Sequence, residues 1–220
     1  MITNKGKKNI AIVGTGAQAK YIVEIFLHYG NANVGMLVRL KKDIDRKFKE
    51  DLKGIKIIEN LAGLKRLALK SGTKAIVALS DNRLKESVIR QLERMKVGLT
   101  NAIHPKAVIA KTAKIGKNVL INAGAVIQPY ARIGNGVMIH VNAVVEHDCV
   151  IGDYANLGPG VKLAGWVSVG KGAYIYTGAS LIPGVTVGFG SIIGAGAVVV
   201  KNVPDGVTVA GNPAKIIKKL

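Results

Sequence analysis

A six-residue period dominates the second half of the sequence. From residue 109 to residue 199, every sixth position is Ile, Leu or Val, with no insertion across sixteen repeats. Four residues after each of these positions comes a second set of mostly small or β-branched residues, which includes Cys149 and ends at Val203. This period fits neither an α-helix nor a simple alternating strand. It predicts a parallel β-solenoid, in which each coil buries its apolar rows by stacking on the next.

The period also provides a coordinate system for this half. Three hexads make one triangular coil of 18 residues, so sixteen hexads predict about five coils and a prism roughly 25 Å long, at about 4.8 Å between strands. Residues separated by three hexads should therefore stack in vertical columns.

The first half alternates short apolar strands with helical segments. Strands are predicted at residues 9–13, 33–38, 55–58 and 74–79, helices at 21–27, 61–69 and about 81–95, and a charged loop at 40–54. This order predicts a small Rossmann-like parallel α/β sheet. His104-Pro105 disfavours helix at the junction. We therefore predict two domains, a nucleotide- or sugar-binding domain over residues 1–101 and the β-solenoid over residues 102–220.

Candidate ligand contacts in the first domain lie beyond the carboxyl ends of its strands, where such sheets bind ligands. Gly14-Thr15-Gly16-Ala17-Gln18-Ala19 follows the first strand in the G-x-G-x-x-A pattern of dinucleotide sites. The second strand ends in Val38-Arg39 and not in the acidic residue that binds the ribose of NAD, so NAD is not favoured. The predicted substrate contacts are Gly14, Gly16, Arg39, Ser80, Asp81 and Asn82, and turn glycines with a helix cap remain the alternative for these residues.

Composition limits the function classes. The chain has 32 basic and 13 acidic residues, a net charge of +19 that both halves share, and such a surface attracts phosphate-bearing molecules. Only 5% of the residues are aromatic, which argues against nucleic acid as a partner. No apolar run is long enough to span a membrane and no signal-peptide pattern occurs, so we expect no membrane insertion and a cytoplasmic protein. The single cysteine agrees with a reducing compartment.

The repeat phase draws attention to His147. This residue lies at a corner of the prism between two carboxylates, Glu146 and Asp148, and Gly165 lies one coil above it. A histidine with carboxylate neighbours and a bare backbone amide nearby is a candidate general base beside a candidate oxyanion donor. His140 falls at a different corner, so a joint role with His147 would need a neighbouring subunit. Cys149 falls in the inward-facing set and is predicted to be packing.

Several segments resemble a known family. The unbroken hexads, the segment from Asn142 to Asp153 (NAVVEHDCVIGD), Leu163-Ala164-Gly165 and Gly211-Asn212-Pro213-Ala214-Lys215 resemble the hexapeptide acyltransferases. Within them, the chain looks like the sialic-acid O-acetyltransferase and UDP-bacillosamine N-acetyltransferase family. The resemblance implies a left-handed β-helix, a homotrimer with active sites between adjacent prisms, acetyl-CoA as co-substrate and no metal.

The resemblance also implies site residues. His147 would be the general base, oriented by Asp148 or Glu146, and the Gly165 amide would face the thioester. The remaining residues that it places near coenzyme A are Asn156, Gly211, Pro213, Ala214 and Lys215.

The chain departs from the family at three places. It has Gly16-Ala17-Gln18 where relatives often read Gly-Gly-His, and Val38-Arg39 where they often end the second strand in an Asp pair that binds the nucleotide. Uridine recognition is therefore not implied by the resemblance, although a basic residue at position 39 could still contact a diphosphate. At His140, where relatives commonly place Asn, we expect a contact with the acceptor or an effect on His147.

Four functions follow as hypotheses. The leading one is N-acetylation of a nucleotide-linked 4-amino-deoxy sugar in surface polysaccharide or glycan biosynthesis. The nearest alternative is O-acetylation of sialic acid or a related sugar. The alternatives from other classes are a carbonic-anhydrase-like hydratase, for which the solenoid supplies two of the three histidines that zinc needs, and a non-catalytic nucleotide-binding scaffold.

Overall fold

The structure, a computed structural model, describes residues 8–29, 32–40 and 55–220. The chain forms two compact units that divide between Ala102 and Ile103. The predicted charged loop lies outside the described residues from residue 41 to residue 54. Among the described residues, no helix combines the length and apolar character needed to cross a bilayer.

The first unit contains a parallel four-stranded sheet. Its strands are β1 (Lys8–Val13), β2 (Ala32–Val38), β3 (Lys56–Ile58) and β4 (Lys74–Val77), in the order β3-β2-β1-β4. Its helices are α1 (Ala17–Glu24), which continues as a π-helical turn (Ile25–Tyr29), α2 (Leu61–Ser71) and α3 (Asn82–Arg94). The predicted α/β alternation is confirmed.

The ends of these helices follow from their capping residues. Asn60 caps α2 by accepting a hydrogen bond from the Gly63 amide at 2.9 Å, and Asp81 caps α3 by accepting one from the Leu84 amide at 2.8 Å. Gly72 ends α2 in the left-handed conformation, with φ of 63°, shortly beyond the predicted end. Both caps satisfy amides that the first helical turn leaves unpaired.

The second unit is a parallel β-helix. After β5 (Ala102–Ile103), at the boundary between the units, sixteen short strands each end on one of the predicted aliphatic positions. They are β6 (Val108–Ile109), β7 (Lys114–Ile115), β8 (Leu120–Ile121), β9 (Val126–Ile127), β10 (Arg132–Ile133), β11 (Met138–Ile139), β12 (Val144–Val145), β13 (Val150–Ile151), β14 (Asn156–Leu157), β15 (Lys162–Leu163), β16 (Ser168–Val169), β17 (Tyr174–Ile175), β18 (Ser180–Leu181), β19 (Thr186–Val187), β20 (Ile192–Ile193) and β21 (Val198–Val199).

Each of these strands pairs with the strand three hexads away, as Val144 does with Val126 and Lys162. One sheet contains β7-β10-β13-β16-β19, the second contains β6-β9-β12-β15-β18-β21, and the third continues upward from β8-β11-β14-β17-β20. The predicted coil of three hexads is therefore confirmed, and both apolar rows point into the core.

Corner glycines allow the coils to stack closely. A Cβ atom on Gly152 would lie 2.6 Å from the amide nitrogen of Lys171 in the next coil, so a side chain there would force the coils apart. This spacing explains why glycine recurs directly after the aliphatic position.

The repeat phase changes at the end of the prism. Val203 bridges to Val187 in the coil below, so it takes an aliphatic position and not the position of the small set in which the sequence placed it. The reason is that the last coil is shorter than the others. The chain then adds β22 (Val207–Ala210), parallel to β20, and β23 (Lys215–Lys219), antiparallel to β22. This closing hairpin was not predicted from the sequence.

Candidate active site

His147 and Asp148 form a hydrogen-bonded pair at the corner between β12 and β13. The imidazole Nδ1 lies 3.0 Å from Oδ2 of Asp148. Asp148 has φ of 58°, the left-handed conformation that Asp tolerates better than most residues. When the carboxylate accepts a hydrogen from Nδ1, the neutral ring leaves Nε2 without a proton, and Nε2 can then accept one from a substrate. No side-chain contact joins Glu146 to the ring among the described residues, so the geometry favours Asp148 as the orienting carboxylate.

Gly165 lies directly against the His147 ring. A Cβ atom at position 165 would approach Nε2 and Cε1 of His147 at 2.7 Å, so the absence of a side chain makes room for the imidazole. The Gly165 carbonyl accepts a hydrogen bond from the Gly184 amide at 3.0 Å, whereas its own amide donates to no protein atom among the described residues. The stacking of the coils does not need an amide at this position, because proline occupies it two coils below, at Pro129, and one coil above, at Pro183.

Trp166 completes this corner, although no role was predicted for it from the sequence. Its ring and that of His147 meet edge to face, with centroids 4.5 Å apart and an interplanar angle of 89°. Its amide donates to the His147 carbonyl at 3.1 Å. The signal that could have identified it is its place in the stack, one coil above Asp148.

Cys149 faces the core, as predicted. Its side chain is fully buried and its Sγ lies 3.1 Å from the Ala164 carbonyl. Burial raises the pKa of the thiol to about 11; the carboxylates of Glu146 and Asp148 add to this rise, and hydrogen bonds with backbone groups oppose it. A thiol in this state is a poor nucleophile.

His140 and Asn156 lie away from this corner. His140 is buried at the corner that follows β11, which confirms that it occupies a different corner from His147. Asn156 is 1% exposed in β14. The roles predicted for these two residues, an acceptor contact and a coenzyme A contact, stay predictions.

The segment predicted to contact coenzyme A, Gly211 to Lys215, forms the turn between β22 and β23 and the first residue of β23. Gly211 accepts a hydrogen bond from the Val198 amide at 3.0 Å, and the Ala214 amide donates to the Val198 carbonyl at 2.8 Å. Between them lies a cis peptide bond before Pro213. Lys215 follows and is exposed. The turn is therefore anchored on β21, with a cation at its edge.

A pocket of about 120 Å³ lies at the carboxyl ends of β1 and β4 in the first unit. The predicted contacts Gly16, Ser80 and Asp81 line it, and Gln18 adds a side chain whose Oε1 is buried without a hydrogen-bond partner among the described residues. Gly16 provides no side-chain cap, and the Ala19 amide donates to the Gly16 carbonyl at 3.0 Å, so the amides of Ala17 and Gln18 remain available beside the pocket.

Three predicted contacts do not line this pocket. Gly14 lies beneath it, with φ of 115°, and a Cβ there would lie 2.7 Å from the Ala78 carbonyl oxygen. Arg39 forms an ion pair with Glu59, which follows β3. Asn82 is the first residue of α3 and is half-buried.

Lys85 is a buried cation that was not predicted from the sequence. It lies on the apolar face of α3 with Val88, Ile89 and Leu92, and its side chain has no exposed surface. Burial lowers its pKa to about 7, and the Asp81 carboxylate opposes that shift. The helical spacing of residues 85, 88, 89 and 92 could have revealed it, because a lysine shares a face with three aliphatic residues.

The described residues contain no group of three or more His, Cys, Asp or Glu side chains that could hold a metal ion. The hydratase hypothesis therefore has no ligand set in the part of the chain that the structure covers.

Family models match both units. Residues 130–165 match the model for the bacterial transferase hexapeptide (six repeats), and residues 9–92 match the model for the PglD N-terminal domain. A search of curated proteins found no match.

Solved structures extend the similarity to nearly the full length. PerB from Caulobacter crescentus, in complex with CoA and GDP-perosamine, is 37% identical with a TM-score of 0.85, over 96% of this chain and 97% of that one. The acetyltransferase domain of PglB from Neisseria gonorrhoeae, in complex with acetyl coenzyme A, is 32% identical with a TM-score of 0.86, over 96% of this chain and 100% of that one. A perosamine N-acetyltransferase variant from C. crescentus, with a histidine replaced by asparagine, is 36% identical with a TM-score of 0.87, over 96% of this chain and 97% of that one. The β-helix is therefore left-handed, and the chain belongs to the hexapeptide-repeat sugar acetyltransferases, enzymes that use acetyl-CoA as the acyl donor.

Proposed function

We propose that the protein transfers the acetyl group of acetyl-CoA to the amino group of a nucleotide-linked amino sugar, in the assembly of a surface polysaccharide or glycan. The observation that carries the proposal is the orientation of His147. Its Nδ1 is bound to Asp148, and its Nε2 faces the unsubstituted Gly165. This arrangement leaves one basic nitrogen beside an available backbone amide.

In the proposed reaction, the sugar nitrogen attacks the thioester carbonyl while Nε2 of His147 accepts a proton from the nitrogen. The oxyanion of the tetrahedral intermediate is stabilised by the Gly165 amide. The carbon–sulfur bond then breaks, and the imidazolium returns its proton to the coenzyme A thiolate. Asp148 keeps the ring in the required tautomer and offsets its positive charge.

The pocket in the first unit supports a nucleotide-linked acceptor. The free amides at the start of α1 suit a phosphate. The unpartnered Oε1 of Gln18 suits a hydroxyl or amine hydrogen. Three solved relatives support the same class, because PerB is complexed with CoA and GDP-perosamine and the PglB domain with acetyl coenzyme A. The third relative, the perosamine N-acetyltransferase variant, is also complexed with CoA and GDP-perosamine.

The donor would lie with its adenine end near the turn of Gly211, Pro213, Ala214 and Lys215. Lys215, Lys218 and Lys219 are exposed on β23 and would offset the phosphates of coenzyme A. We further propose a homotrimer, with each site completed by a neighbouring prism. Analytical ultracentrifugation of the protein tests the trimer directly.

Release of the coenzyme A thiol tests the function. Purified protein is incubated with acetyl-CoA and GDP-, UDP- or dTDP-linked 4-amino sugars, and separately with free sialic acid. We expect release with a nucleotide-linked amino sugar and an amide in the product. Thiol release with sialic acid alone would favour O-acetylation. No thiol release with any acceptor would contradict the proposal and favour the non-catalytic nucleotide-binding scaffold.

Two variants separate the proposed roles. His147→Asn should abolish most turnover while the affinity for the nucleoside diphosphate, measured by calorimetry, stays unchanged. Gln18→Leu should raise the KM for the nucleotide sugar and leave the KM for acetyl-CoA unchanged. A His147→Asn protein that acetylates as fast as the wild type would contradict the assignment of the base.

A further inference from the structure

Trp166 occupies a backbone position that favours glycine. At fourteen corners of the β-helix the second turn residue is in the left-handed conformation, with φ between 57° and 74°. Eight of the fourteen are glycine, including Gly184 directly above Trp166. A bulky side chain is unfavourable in this conformation, because its Cβ crowds the backbone. The site therefore retains an indole at a conformational cost.

Burial does not offset that cost. Trp166 is 61% exposed, so most of its indole surface faces solvent in the single chain. Tyr154, which has the same conformation, is 7% exposed and lies under the Lys171 ammonium group. Packing within the single chain accounts for Tyr154 but not for Trp166, and the ring contact with His147 points to a role of the indole at the site.

The indole lies between the base and the C-terminal end of the β-helix. Its edge-to-face contact with His147 limits the movement of the imidazole on that side. Above Trp166, the same corner continues through Pro183 and Gly184 to the exposed Lys201, with the partly exposed Ile182 beside it. An extended chain with a phosphate at its far end matches this path, because the corner is apolar at Pro183 and Ile182 and becomes positively charged at Lys201.

We propose that Trp166 is the donor-side wall of the active site: its indole packs on the thiol end of the pantetheine arm of acetyl-CoA and holds the His147 ring in place. This inference rests on the proposed function, in which the adenine end of coenzyme A lies toward β22 and β23. The acceptor then approaches His147 from the opposite side, where Tyr130 is 62% exposed one coil below Asp148.

The test uses the fact that Trp166 is the only tryptophan in the sequence. Tryptophan emission of the full-length wild-type protein is followed during titration with coenzyme A, and in parallel with adenosine bisphosphate, the nucleotide half of the ligand without the arm. We expect a saturable change with coenzyme A and none with adenosine bisphosphate. Unchanged emission at a coenzyme A concentration that inhibits turnover would overturn the inference, as would equal changes with both ligands.

Kinetics of two variants give an independent test. Trp166→Gly should raise the KM for acetyl-CoA by about tenfold, the size expected from loss of one aromatic contact, and leave the KM for the acceptor unchanged. Its melting temperature should not fall, because glycine suits the backbone conformation. Trp166→Phe should retain most of the affinity for acetyl-CoA. A rise confined to the KM for the acceptor would overturn the donor-side assignment.

Failure of the inference can be distinguished from failure of the proposed function. The emission titration uses no sugar acceptor. If coenzyme A changes the emission but no amino sugar is acetylated, the donor-side role stands and the acceptor assignment is wrong. If amino sugars are acetylated but coenzyme A leaves the emission unchanged, the donor-side role is wrong and the function stands.

Discussion

Position 165 carries no side chain because the ring of His147 fills the space that a Cβ atom would need. A Cβ atom at this position would lie 2.7 Å from both Nε2 and Cε1 of that ring. The equivalent turn positions in other coils carry side chains, including Thr177 and Ala195, so the backbone itself accepts one. The requirement for glycine at 165 therefore comes from the histidine.

Gly165→Ala should remove activity without unfolding the β-helix. The added methyl group would displace the imidazole, and we expect kcat to fall by about 10²-fold or more, the range attributed to a positioned general base. Steady-state thiol release and circular dichroism check the two parts of this prediction. Thr177→Ala is the matched control and should leave kcat unchanged.

A double variant tests the cause of that loss. If the methyl group clashes with the ring, Gly165→Ala should lower the melting temperature in the wild-type background and have less effect in His147→Ala, where the space is open. Equal losses of stability in both backgrounds would contradict a clash with His147.

Asp148→Asn should impair catalysis through the tautomer of His147. The amide can donate a hydrogen bond to Nδ1, which would place the ring proton on Nε2 and block its role as a base. Because both side chains are partly exposed, water can replace some of the interaction, and we expect kcat to fall by roughly 10- to 100-fold. Glu146→Gln should have a much smaller effect, because Asp148 is the carboxylate that contacts the ring. The two variants are compared by kcat at saturating substrates, and equal losses would argue against Asp148 as the orienting group.

The β-helix and the position of His147, the proposed base, were predictable because the hexad fixes both the fold and the phase. One aliphatic row places His147 at a corner, Gly165 above it and Cys149 inside. The closing hairpin was not predictable from the same pattern, because the coil that ends at Val203 is shorter than the others and the period ends there.

The first unit shows the limits of the local pattern. The Gly-rich turn and the Asp81 cap were visible in the sequence, but the ion pair that occupies Arg39 was not, because Glu59 follows a different strand and is distant in the sequence. The contact between Trp166 and His147 was not visible in the sequence either, since it depends on the rotamers of two side chains in neighbouring coils. Backbone periodicity places such residues in neighbouring columns, whereas the angle between their rings is set by side-chain packing that the period does not determine.

Cys149→Ala should leave the acetyltransferase rate unchanged. The thiol is buried, and its pKa is raised to about 11 by loss of solvent, so it is protonated at neutral pH and is not available as a nucleophile. We also expect the native protein to react slowly with a disulfide reagent and rapidly after denaturation. Colorimetric titration of the thiol under both conditions measures this difference. A large loss of kcat in Cys149→Ala, with an intact circular dichroism spectrum, would reopen a nucleophilic role.

The stability of the first unit should depend on pH through Lys85. Burial lowers the pKa of this lysine from 10.5 to about 7, so between these values the unfolded chain binds more protons than the folded one. Stability should therefore rise with pH from about 7 to about 10, by up to about 1.4 kcal/mol per pH unit, and the burial penalty should be fully present below pH 7.

Lys85→Met removes the titrating group, so its advantage in stability over the wild type should be largest near pH 7 and shrink as pH rises. Urea unfolding followed by ellipticity at the helix band measures this difference, because the described α-helices all lie in the first unit. Lys20→Met, on the exposed surface of α1, is the matched control and should keep the pH dependence of the wild type. Parallel curves for Lys85→Met and the wild type would mean that Lys85 is not the titrating group.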